Sequence, residues 1–168
     1  TAIEAALTGH LVLTTLHCND AVSAFARFDE MGVEPFLVSA SLLGVVSQRL
    51  VRRLCPDCRL AHHPTSEDLA RFGLVASDES KITFFKPSIT APTAQGACPS
   101  CQGRGYSGRV GVYEILTMTE SLSAAVAKRA NTQELRRLAL EGGMKTLLGY
   151  GLDLVRQGLT SLDEVERM

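Results

Sequence analysis

The sequence predicts an α/β fold, and three observations carry that prediction. An apolar, β-branched run, LVLTTL at 11–16, has the length of a buried strand and leads through a polar turn into a helical pattern. Two further β-rich runs, LVRRL at 50–54 and GRVGVYEIL at 108–116, flank a stretch of different composition, as a hairpin does when a module is inserted between its strands. The chain then ends in short helical segments separated by Gly142, Gly143, Gly149, Gly151 and Gly158.

Residues 1–8 read as the end of a helix, closed by Gly9. After the 11–16 strand, Asn19 is the expected N-cap of DAVSAFARFDEM, in which Val22, Phe25 and Phe28 recur at helical spacing and Gly32 supplies the stop. Pro35 opens FLVSASLLGVVSQRL, a mostly apolar pattern that predicts a buried helix leading into the 50–54 strand. Residues 60–97, with Pro64, Pro87 and Pro92 and many Ser and Thr, lack periodic apolar positions and predict the inserted module, with Phe84 and Phe85 as its own small core. Beyond the second hairpin strand, Asn131 with Glu134 and Thr160 with Asp163 have capping-box spacing at two helix starts.

A chain of 168 residues, 45% hydrophobic, buries a sizeable core in one or two domains. Its formal charge of −1 supplies no general field toward nucleic acid or an anionic membrane. No apolar run approaches the roughly 20 residues of a spanning helix, and the N-terminal residues lack a signal-peptide pattern; the expected location is cytoplasmic. Thr1 falls within the helix-like TAIEAAL, so the sequence is expected to begin partway through a larger protein.

CPDC at 55–58 and CPSC at 98–101 form two C-x-x-C knuckles. Each offers two thiolates to one ion, and Cys55, Cys58, Cys98 and Cys101 together complete the tetrahedral sulfur set of a closed structural zinc site. Four thiolates leave no open position for substrate, so the site is read as structural. Buried inert thiols and a thioredoxin-like redox pair are the competing readings; a redox motif needs only one knuckle, and cytosolic disulfides are uncommon. CPSCQGRG is also similar to the zinc motif of J-domain co-chaperones, which repeat it, whereas it occurs once here. Cys18 is read as a free thiol.

His17 stands where the 11–16 strand meets the next helix, the position at which open α/β sheets place ligand chemistry. There an imidazole can contact phosphate or orient water, or serve only as a satisfied structural residue. His10, at the other end of the strand, is the weaker candidate. Arg49, Arg52, Arg53 and Arg59 form a local basic cluster that reads as a solvated face.

TAIEAALTGHLVLTTLHCNDA, SLLGVVSQRLVRRLCPDC, CPSCQGRGYSGRVGVYEIL and GMKTLLGYGLDLVRQGLTSLDEVERM, in that order, resemble successive blocks of the secretion ATPases of type II secretion and type IV pilus assembly. The resemblance implies the C-terminal part of a RecA-like P-loop NTPase core (1–54), an inserted tetracysteine zinc module (55–109), and a closing strand with a small helical C-terminal domain (110–168). It further implies a cytoplasmic homo-hexameric motor that uses ATP and Mg to drive pilin or pseudopilin assembly, peripheral to the inner membrane through a platform protein, and binding no nucleic acid. In that family the block from His10 to Asp20 is the histidine box: His17 would face the γ-phosphate, with His10, Asn19 and Asp20 in support. Cys18 departs from the usual Thr. No G-x-x-x-x-G-K-[ST] phosphate cradle occurs in the 168 residues, so this chain alone is expected not to hydrolyse ATP. The alternative is a self-contained zinc-binding interaction module for nucleic acid or unfolded protein; an aromatic content of 5% with no Trp argues against the nucleic-acid form.

Overall fold

The computed structural model describes residues 2–71, 73, 83–89 and 97–168. In chain order the elements are α1 (Ala2–Leu7), α2 (Ser23–Glu30), α3 (Pro35–Ser41), β1 (Gly44–Leu54), β2 (Leu60–His62), α4 (Ser66–Arg71), β3 (Phe84–Lys86), β4 (Tyr106–Thr117), α5 (Glu120–Ala127), α6 (Thr132–Glu141), α7 (Leu147–Arg156) and α8 (Leu162–Glu166). They fall into two compact units, residues 1–48 with 113–147, and residues 49–112 with 148–168.

In the first unit, Asp20 starts α2: its Oδ1 accepts the Ser23 N–H at 2.8 Å and the Ser23 hydroxyl at 2.6 Å. The expected cap, Asn19, does not make these bonds; the shorter Asp20 turn does, and the helix begins three residues beyond it. Pro35 opens α3 as expected, but the helix ends at Ser41, where Leu42 turns extended. GVVSQRL belongs to β1, a correction of the long helix expected there. A continuous apolar run does not by itself distinguish a buried helix from a strand, and the β-branched Val45 and Val46 favour the strand. Val22, just before α2, Phe25 of α2, Val38 of α3, Leu116 of β4, Leu122 and Val126 of α5, and Leu135 of α6 form one buried cluster. Asn131 caps α6 as its spacing predicts, accepting the Glu134 N–H at 2.9 Å.

LVLTTL is not a strand. Residues 10–18 are irregular, and Leu11 and Leu13 are 77% and 88% exposed. A buried strand needs hydrogen-bonded neighbours, and the two sheets among the described residues, β1–β4 and β2–β3, are two-stranded without it. The predicted pairing of the runs at 50–54 and 108–116 does occur, within the longer strands β1 and β4.

In the second unit β2 and β3 pair antiparallel, Ala61 opposite Phe85. Phe84 packs with Leu69, Val155, Val165 and Leu162, so the core of the insertion is shared with the chain's last helices rather than being its own. The segment from Gly158 to Glu164 is stitched to β1 and β4. Leu54 N–H donates to Leu159 C=O (2.9 Å), the Thr160 hydroxyl to Arg52 C=O (2.8 Å), and the Tyr106 and Ser161 hydroxyls pair at 2.8 Å. The Thr160 hydroxyl, expected as a helix cap, donates instead to Arg52, and Ser161 occupies the cap position without a capping bond, its hydroxyl being paired with Tyr106.

Two members of the arginine cluster have protein partners, although Arg52 stays exposed. Arg52 lies over the Tyr106 ring at 4.2 Å and donates to Glu164 Oε1 at 2.6 Å, while its N–H donates to Glu164 Oε2 at 2.9 Å. Arg59 lies over Phe85 at 4.4 Å and donates to the Gly158 carbonyl. Gly158 has φ +69°, and a Cβ there would sit 2.7 Å from the Arg59 guanidinium. Among the described residues no helix is long and apolar enough to cross a membrane.

The Arg52 guanidinium hydrogen bond, the Arg52 N–H and the Arg52 charge together outweigh burial and hold Glu164 below the usual carboxylate range. Unfolded Glu164 takes up its proton near pH 4.3 or so, folded Glu164 only at lower pH. Its contribution is therefore present above the unfolded value and is lost as pH falls through the folded one. Glu164→Gln is expected to cost about 1–3 kcal/mol at neutral pH and to flatten the acid limb of Tm against pH. An acid limb of unchanged slope in the variant would refute this role.

Candidate metal centre and the histidine segment

Cys55 directly follows the last residue of β1, and Cys101 lies shortly before β4, so the strand pair brings both knuckles to one place. The four Sγ atoms lie within 4.8 Å of one another, with Cys55–Cys98 at 3.8 Å and Cys58–Cys101 at 3.6 Å. A tetrahedral ion with metal–sulfur bonds of about 2.3 Å places its sulfurs about 3.8 Å apart, so the donor set fits a zinc-like ion with little movement. Cys55 and Cys101 are fully buried, Cys58 and Cys98 partly so. Ser100 donates to Asp57, joining the tips of the two knuckles.

Gly105 joins them at the base. Its N–H donates to Cys101 Sγ at 3.3 Å, and its carbonyl accepts the Cys55 N–H at 3.0 Å. Only glycine suits this position: φ is +73°, and a Cβ would lie 2.5 Å from Cβ of Pro87. Burial acts to raise the Cys101 thiol, but the Gly105 N–H and the hydrogen bonds from Cys58, Cys98 and Cys55 outweigh it and bring it down to about 7. Burial and the hydrogen bonds to the neighbouring sulfurs push Cys58 up. Cys101 thus presents the thiolate that a metal takes more readily than Cys58 does.

His17 is exposed and lines an open groove of about 440 Å³ with Cys18, Asn19, Ser23, Ala26, Arg27 and Glu30; Arg27 pairs with Glu30 at 2.7 Å. Asp20, next in sequence, turns away to Ser23 and to Arg136, 2.6 Å distant. Burial acts to raise its pKa, and the Ser23 and Arg136 bonds more than reverse this, holding the Asp20 carboxyl below the usual carboxylate range. His10 is not among the groove residues: its Nδ1 is 3.2 Å from the Thr8 hydroxyl, and its N–H donates to Ala5 C=O at 3.1 Å.

Sequence reasoning missed Glu114, which is 2% exposed. One carboxylate oxygen accepts the Ala21 N–H at 2.8 Å, the other the Leu147 N–H at 3.2 Å. The signal was present: Val112, Glu114 and Leu116 alternate on the buried face of β4, and an acid in that series needs internal partners.

The Type II/IV secretion system protein family matches residues 1–167. The chain belongs to that family. It is 44% identical over 164 residues to the type IV pilus assembly ATPase PilB of Thermus thermophilus, a match covering 98% of this chain and 18% of that protein. It is 42% identical over 167 residues to the type II secretion system ATPase E of Vibrio cholerae, covering 99% of this chain and 31% of that protein. The crystal structure of the pilus retraction motor PilT with bound ADP superposes with a TM-score of 0.58 at 21% identity, over 99% of this chain and 34% of that one. This last likeness shows a shared α/β fold. The chain thus spans less than a third of the length of these two relatives.

Titrating the reduced chain with Co²⁺ is expected to give the visible bands of a tetrahedral tetrathiolate at about one ion per chain. The four knuckle thiols should be shielded from a thiol reagent while Cys18 stays reactive. Full reactivity of all five thiols at saturating metal would rule the centre out.

Proposed function

We propose that this chain is the C-terminal portion of a hexameric motor ATPase that powers pilin or pseudopilin assembly, in type IV pilus biogenesis or type II secretion, from the cytoplasmic face of the inner membrane. The observation that carries this reading is identity of 40% or more, over nearly the whole chain, to secretion and pilus ATPases of both branches. In this reading residues 1–54 derive from the end of a RecA-like core, 55–109 are a zinc-braced insertion and 110–168 a closing strand with a helical end. His17 faces the γ-phosphate of bound Mg-ATP across the groove, Asn19 lines the same groove, and Asp20 and His10 support the segment that carries it. Cys55, Cys58, Cys98 and Cys101 hold a structural zinc, and the hexamer works against a platform protein of the inner membrane.

The location of His17 supports this role: it is exposed, in a groove, and followed at once by a turn that is tightly bonded. The pairing of Arg52 with Glu164 and of Arg59 with the Gly158 carbonyl weighs against the insertion serving nucleic acid, because it offsets part of the positive charge a phosphate backbone would need.

The test compares two proteins. The 168-residue chain is expected to show no Mg²⁺-dependent ATP turnover, since it lacks the phosphate cradle. The full-length protein is expected to hydrolyse ATP and to lose about 100-fold in kcat on His17→Ala, the loss that follows removal of one transition-state donor. Turnover by the short chain, a full-length protein inert toward ATP, or salt-dependent binding of DNA by the short chain would each overturn the reading.

A further inference from the structure

We propose that Glu114 is a positioning residue for His17: its buried carboxylate locks the turn that follows the histidine to the first residue of α7. This rests on the functional reading above, in which His17 acts on nucleotide.

Ionised or not, a carboxyl group at 2% exposure is costly unless its oxygens find donors. Here both are used on backbone N–H groups, Ala21 at 2.8 Å and Leu147 at 3.2 Å. The Ala21 N–H belongs to the Asp20–Ala21 peptide, three residues beyond His17. The side chain of Asp20, the residue that begins this peptide, is itself bonded to Ser23 and Arg136. Ala21 and Val22 are fully buried, whereas His17 is exposed at the groove. A solvent-facing imidazole is thereby followed by a turn fixed at both the Asp20 side chain and the Ala21 N–H, which restricts where its ring can be offered. Such a geometry supplies preorganisation rather than stability alone.

The second bond gives the device its direction. Leu147 is the first residue of the ten-residue α7, and a negative group there also complements the positive end of that helix. A shift of the Leu147 N–H would pull on the carboxylate and, through it, on the Ala21 peptide. Gln at this position keeps the volume and one acceptor but turns a donor toward one of the two N–H groups. That must release either Ala21 or Leu147.

A double-mutant cycle in the full-length ATPase tests this. Glu114→Gln is expected to lower kcat about tenfold, the size of a coupling between residues acting as one unit, with KM for ATP little changed. In a His17→Ala background the same substitution is expected to cost almost nothing, because the side chain it positions is gone. Thermal unfolding of each variant separates this from general destabilisation. Should Glu114→Gln fail to fold, Glu114→Asp, which keeps the charge and retracts it by one methylene, carries the same cycle. An equal loss of kcat in both backgrounds, or a lowered Tm with kcat unchanged, would overturn the inference alone. An unchanged kcat for His17→Ala by itself would sink the functional reading together with it.

Discussion

The convergence of four sulfurs at the ends of β1 and β4 is the constraint on which the second unit depends. Thirty-nine residues separate the two knuckles, and closing a loop of that length costs conformational entropy that a module with so small a core does not recover by burial. The sulfurs solve this only as a set. Without an ion, thiols 3.6–3.8 Å apart make only weak hydrogen bonds, and burial together with those bonds pushes Cys58 up while Cys101 is brought down. Gly105 is the pivot of the arrangement, since one residue donates to a sulfur of the second knuckle and accepts from the backbone of the first. No larger residue fits that role, because Pro87 occupies the space a side chain would need.

The chain's last segment exploits the same scaffold. Arg59 directly follows the first knuckle and reaches Gly158; Arg52, three residues before it, reaches Glu164. Both guanidiniums also lie on aromatic rings, which fixes their planes and makes their donors directional. Charge counting cannot distinguish such residues from a solvated basic face. The difference lies in partners more than 90 positions away in sequence, which local patterns do not encode.

Legibility in the sequence followed the range of the interaction. The four cysteines were readable because ligand spacing within a knuckle is local and the chemistry of thiolates admits few alternatives. Pro35 and Asn131 were readable for the same reason, each acting within one helical turn. LVLTTL was misread as a strand because a strand exists only through its neighbours; the residues have β propensity, but no ladder forms on them among the described residues. Asn19 and Asp20 are both good caps, and only the position of Ser23 decided between them. Glu114 was legible in retrospect, as the one charged member of a buried alternation, but its partners at Ala21 and Leu147 were not.

The two candidate sites make opposite physical demands, and the chain meets each by a different means. The cysteine centre is closed: every donor comes from one unit, the inner pair is fully buried, and a bound ion would have no coordination position left for a substrate. It can be complete in itself and still perform no chemistry. The histidine groove is open, and its imidazole is exposed, so precision there cannot come from packing around the imidazole. In the proposal above it comes from the turn that follows, which the bonds of Asp20 to Ser23 and of Glu114 to the Ala21 N–H hold in place. The cost of burying a carboxylate in β4 then has a reason that packing alone does not give. An apolar residue at position 114 would fill the space, but would leave the Ala21 and Leu147 N–H groups without their acceptor and the histidine on an unanchored turn.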